Sequence, residues 1–217
     1  ISLQQELTSL QSQLVSLEAQ RDANDLTSSQ YQSYITTISN LTSTITSLQS
    51  QLSSLQSQKS SIDGQISSLE GQISSLDGQI SSLQSQISSL EGQISSIDIQ
   101  ITNLTSDLGN YLPGSSEYIS IQNLINSLES QRNSLQSQLG SLQSQLSSLQ
   151  GQLGSLQSQL SGLQGQSSSL GSQIVALNSD IINYQGQRSS TEALRDAYEI
   201  QYNSYVLLVT NKQSEIT

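Results

Sequence analysis

Isoleucine or leucine recurs along this chain at alternating steps of three and four residues, and that spacing constrains the fold more than any other feature. From Ile66 the chain reads Ile66-Ser-Ser-Leu69-Glu70-Gly71-Gln72, then Ile73-Ser-Ser-Leu76-Asp77-Gly78-Gln79. In heptad letters, Ile or Leu stands at a, Leu at d, an acid or Gln at e, and Gln at g. An apolar period of seven lays one stripe along a helix and predicts a coiled coil. A strand would need a period of two, and a compact core would need large rigid side chains. Phe, Trp, Cys, Met and His are absent, and the eight tyrosines are the only aromatic residues. The sequence therefore predicts an all-α chain that buries Leu and Ile along a line.

The phase of the repeat divides the chain. Residues 1–18 are N-terminal heptads, with d at Leu3, Leu10 and Leu17, a at Leu7 and Leu14, and the next a at Arg21. The seam fails over 19–30 and resumes three residues out of phase, with a at Tyr31, Ile38 and Ile45. Such a stammer overwinds the supercoil or opens a short non-helical step. A first arm covers 31–108. Residues 109–117 form a turn: Gly109 to stop a helix, Pro113-Gly114 to reverse the chain, and a Ser followed by Glu117 to restart it. A second arm, 118–217, keeps one register from Tyr118 to Ile216. Two long arms around a short turn predict an antiparallel helical hairpin, packed in turn into a higher-order bundle. The alternative is two coiled coils in series, each formed with other chains. Lys59 and Ser167, both polar at a, lie equally far from Pro113, which sets the hairpin's expected register to within one layer.

Charge hugs the seam. Arg21, Lys59, Arg132, Arg188 and Arg195 fall at a and Lys212 at d, while all of the 17 acids except Asp22 and Asp196 fall at e or g. A base on the seam can reach a neighbouring carboxylate and fix the register. The outward b, c and f positions are mostly Ser and Gly. Each helical Gly costs about 0.8–1 kcal/mol relative to Ala, so close approach of neighbouring helices is expected to compensate on that face. Gln replaces the usual Glu and Lys pairs at e and g, and its hydrogen bonds do not titrate. Together with the absence of Cys and Met this points outward, to a cell surface or a secreted assembly.

Tyr31, Tyr34, Tyr184, Tyr198, Tyr202 and Tyr205 gather at the open end of the expected hairpin, and Tyr111 and Tyr118 at its turn. Val206, Leu207 and Leu208 leave the seam at e, f and g. These residues are candidates for end-to-end or partner contacts, or else for wider core layers near the break.

The formal charge is -11 with only 11% of residues charged, a poor match for nucleic acid or anionic lipid. The longest apolar stretch, Tyr205–Val209, is far too short to span a membrane. An isoleucine at position 1 suits a processed or trimmed chain. Without His or Cys there is no nucleophile–base set and no thiolate metal site, and the repeating e carboxylates are solvated. No catalytic residue, cofactor or metal is expected. Asn40-Leu-Thr42 and Asn103-Leu-Thr105 match the N-glycosylation pattern, with both asparagines at outward c positions.

Heptads such as Ile80-Ser-Ser-Leu83-Gln-Ser-Gln86 resemble the Ser/Gln-rich coiled-coil stalks of archaeal surface-layer anchoring proteins from hot acid environments. The resemblance covers the helical arms. It implies a structural protein, and the expected function is self-assembly through coiled-coil packing into an extracellular filament, fibre or surface lattice. The alternatives are a rod-like spacer that binds partners at its ends, and a viral fibre or secreted-granule matrix protein.

Overall fold

A computed structural model describes residues 3–216; Ile1, Ser2 and Thr217, at the edges of the segments expected over 1–18 and 118–217, lie outside the described residues, as does the side chain of Leu3. The chain is all-α. Three helices follow in order: α1 (Leu3–Ala23), α2 (Ser29–Leu108) and α3 (Ser116–Ile216), with no strand among the described residues.

Local chemistry explains both interruptions. At the end of α1 the N–H of Asn24 bonds the carbonyl of Arg21 at 3.0 Å and that of Asp25 bonds Asp22 at 3.3 Å, tightening the last turn. Ser28 then caps α2, its Oγ accepting the N–H of Tyr31 at 3.3 Å. The non-helical step is 24–28, inside the expected break of 19–30. After α2, the N–H of Asn110 bonds Asp107 at 2.9 Å, and the N–H of Ser115 bonds the carbonyl of Leu112 at 3.1 Å. Gly114 has φ 92°, so Leu112-Pro113-Gly114-Ser115 has the φ at its third residue that a type II turn requires and that glycine adopts without strain. Ser115 caps α3 through the N–H of Tyr118 at 3.2 Å.

The chain forms two compact units: Ile1–Lys59 with Ser169–Thr217, and Ser60–Ser168. Within the first, the Tyr31 hydroxyl bonds Glu199, and 28 residues further along α2 Lys59 lies beside Gly171, 28 residues earlier in α3. Within the second, Asp63 bonds Ser167 and Asp98 bonds Arg132, a step of 35 up α2 matched by 35 down α3. In each unit the two helices therefore run side by side in opposite directions. These pairs stand four residues away from the alignment that equal distance from Pro113 gives.

The buried residues sit where the heptads put them. Ile45, Ile80, Ile87, Ile125, Ile181, Val209 and Ser167 are at a, and Leu76 and Leu128 at d. Most other seam leucines are half-buried, and no side chain among the described residues is fully enclosed.

Candidate functional site

Four polar residues on the seam share one geometry: a side chain at a on one helix meets an e position on the other. Arg132 Nη1 donates to Asp98 at 3.3 Å, and Ser167, only 9% exposed, donates to Asp63 at 2.6 Å. The Tyr31 hydroxyl donates to the Glu199 carboxylate, and Lys59 has Gly171 opposite, where an added Cβ would lie 3.8 Å from the lysine Cε. Such crossings are long-range in sequence, so they discriminate one alignment of the helices from another.

The remaining seam bases take acids on their own helix. Arg188 Nε lies 3.5 Å from Glu192, Arg195 reaches Asp196 at 2.6 Å and Glu199 at 3.9 Å, Arg21 reaches Asp22 at 2.6 Å, and Lys212 reaches Glu215 at 2.6 Å. Asp22 and Asp196, the two acids off the e and g positions, are thus the immediate neighbours of arginines. Those hydrogen bonds raise the Arg21 and Arg195 pKa values. The Nε atoms of Arg132 and Arg188 are buried without a hydrogen-bond partner; Glu192 stands within ion-pair reach of Arg188 but off the hydrogen-bond line.

Three of the tyrosines come together. The rings of Tyr31 and Tyr198 lie 5.9 Å apart, tilted by 38°, and Tyr34 meets Tyr198 edge-on at 6.5 Å. The hydroxyls of Ser28 and Tyr198 are 2.7 Å apart, and Tyr198 Oη also reaches the Ala23 carbonyl at 3.4 Å, so α3 touches both sides of the break between α1 and α2. Gln213 Nε2 on α3 donates to Glu18 on α1 at 3.4 Å. The hydrogen bond to Glu199 favours the neutral phenol and raises the Tyr31 pKa, and burial adds to this. Tyr184, Tyr202, Tyr205 and Val206 are half-buried on α3, whereas Leu207 and Leu208 are 61% and 44% exposed. Tyr111, in the turn, is exposed, and Tyr118 is half-buried.

Two carboxylates beside helix starts are acidified. Asp25 accepts the Thr27 hydroxyl and backbone N–H groups, which lower its pKa; Glu117 is lowered by a backbone N–H and then by the Ser116 hydroxyl at 3.0 Å. Asn40 and Asn103 are exposed on α2, and the sequon hydroxyls of Thr42 and Thr105 donate back to Ile38 at 2.8 Å and Ile101 at 2.7 Å. At ten helical glycines, among them Gly64, Gly71, Gly140 and Gly151, an added Cβ would meet nothing within 4 Å. Packing within one chain does not call for them.

Sequence alone located the seam bases but not their partners. Asp63 and Asp98 become visible only once the alignment of α2 against α3 is known, and Ser28 only once the Tyr198 ring is placed. Among the described residues no group of three or more His, Cys, Asp or Glu could hold a metal, and no helix is long and apolar enough to cross a membrane. Comparison with family models, curated proteins and solved structures finds no match to this chain.

Proposed function

We propose that the chain is a non-enzymatic structural protein that folds back as an antiparallel coiled-coil hairpin and assembles with copies of itself into an extracellular filament, fibre or surface lattice. The observation that carries this is the unfinished core: among the described residues every buried one lies at an a or d position, and none is fully enclosed. Apolar surface left in this state is stabilised by covering it. The glutamine-rich flanks and the resemblance to archaeal surface-layer stalks favour an extracellular setting. Circular dichroism tests the proposal: helicity falls on dilution from micromolar to nanomolar concentration if copies complete the core, and stays constant if each chain is self-sufficient.

A second reading, a rod-like spacer or tether that binds partners at its ends, draws on the exposed Leu194, Ile200, Leu207 and Leu208 of α3. Electron microscopy of concentrated protein separates the two, since assembly gives filaments or sheets and a tether gives separate particles.

A further inference from the structure

The two sides of the α2–α3 pair in Ser60–Ser168 differ in charge. Along α2 the e side carries Asp63, Glu70, Asp77, Glu91 and Asp98, while every g position from Gln65 to Gln100 is glutamine. Along α3 every g position from Gln131 to Gln166 is glutamine as well. On this neutral side the seam leucines lie at the bottom of open grooves. One groove of about 380 Å³ has Leu83 and Leu149 as its floor, with Gln79, Ser82, Gln145 and Ser148 as its walls. The next, about 410 Å³, repeats it seven residues on: Leu90 and Leu142 below, with Gln86, Ser89, Gln138 and Ser141 among the walls.

We propose that this glutamine-walled, leucine-floored side is where a second copy of the chain docks, groove against groove about a twofold axis. This rests on the self-assembly reading and names its interface. The chain carries a charge of -11, so two copies meeting on their e sides would oppose rows of carboxylates, whereas none of the residues lining the grooves is charged. The glutamine amide both donates and accepts, so a glutamine face complements a copy of itself, as an isologous contact requires. Serine at c keeps the walls low enough for the leucines to be reached. The groove repeats at the heptad interval, which matches the knobs of another heptad helix. The area also suffices. The 36 residues from Gln65 to Gln100 extend about 52 Å, and two helices abreast are about 20 Å wide, giving a footprint of about 1,000 Å² per copy against the roughly 800 Å² of a standard stable interface.

Sedimentation velocity of the full chain tests the assignment with charge-matched pairs. Gln86→Glu with Gln138→Glu puts carboxylates in the groove walls and weakens association by about ten-fold or more, whereas Gln84→Glu with Gln143→Glu on the e side leaves it within about two-fold. Equal weakening by both pairs overturns the groove as the interface and leaves self-assembly standing. A wild-type chain that stays monomeric at every concentration overturns self-assembly and the groove with it. Because the chain has no cysteine, thiol accessibility gives a second readout on variants that leave the helix unburdened. Maleimide alkylation of Ser82→Cys slows in concentrated protein and that of Ser81→Cys, on the opposite flank, does not; equal protection, or protection of Ser81→Cys alone, contradicts the proposal.

Discussion

The unit built from Ile1–Lys59 and Ser169–Thr217 holds five of the six bases and six of the eight tyrosines, while Ser60–Ser168 is, apart from its acids, mostly Leu, Ile, Gln, Ser and Gly. Both bury the same a and d stripe. In the first unit, alignment is marked by large side chains that fit in one place: the Tyr31, Tyr34 and Tyr198 rings, the Tyr31–Glu199 bond, and the Glu18–Gln213 contact. In the second, heptads repeat so closely that a slip of seven residues would present nearly the same leucines to nearly the same glutamines. There Arg132–Asp98 and Ser167–Asp63 are the contacts that tell one register from the next. Repetition supplies stability, and rare polar residues supply uniqueness.

The largest expected effect should not distinguish the units. Ile80→Ala and Ile181→Ala each remove a buried a residue, and each is expected to cost about 2–4 kcal/mol by chemical denaturation. A loss confined to one of them would mean that the two seams are not equivalent.

The register marks should separate the units. Replacing Arg132 and Ser167 together by leucine makes the Ser60–Ser168 seam more apolar, so stability is held or raised. The alignment then becomes degenerate. Spin labels placed across that unit should give one distance in the native chain and several in the variant, spaced by about 10 Å for each slipped heptad. A single unchanged distance would show that the repeats alone fix the register.

Smaller effects belong to the helix starts. Ser28→Ala and Ser115→Ala each remove a cap and should cost about 1 kcal/mol. Ser28 should cost more, because its hydroxyl also meets Tyr198. Acid should act weakly at the same places. The folded-state pKa values of Asp25 and Glu117 are depressed, so their contribution is present at neutral pH and is lost as the pH falls through those values, below the usual carboxylate range. Amide NMR shifts of Thr27 and of Glu117 itself should move in that window, and Asp25→Asn and Glu117→Gln should abolish the movement.

The helices and their buried stripe were legible because a period of seven leaves a helix one apolar face to bury. Boundaries were less so. The seam loses phase at Ala19, yet α1 continues to Ala23, since losing a packing stripe does not remove backbone hydrogen bonds; the helix stops where three poor helix formers, Asn24, Asp25 and Thr27, fall within four residues. The alignment of α2 against α3 was offset for a geometric reason. Side chains lean toward the N-terminus of their own helix, so in antiparallel neighbours a residue nearer the turn on α2 meets one farther from it on α3. Counting from Pro113 pairs Ser167 with Lys59, whereas the lean brings it to Asp63. The grooves were hidden as well, because Leu83 and Leu149 come together only once that alignment is known. The outward glycines remain an unfilled expectation within one chain, where open space surrounds ten of them.

Sedimentation equilibrium of the full chain across micromolar concentrations probes the incomplete interior most directly. The weight-average mass should rise smoothly with concentration above the 23.4 kDa of a single copy, toward a whole multiple of that mass. A constant 23.4 kDa across the range, with helicity intact, would contradict it.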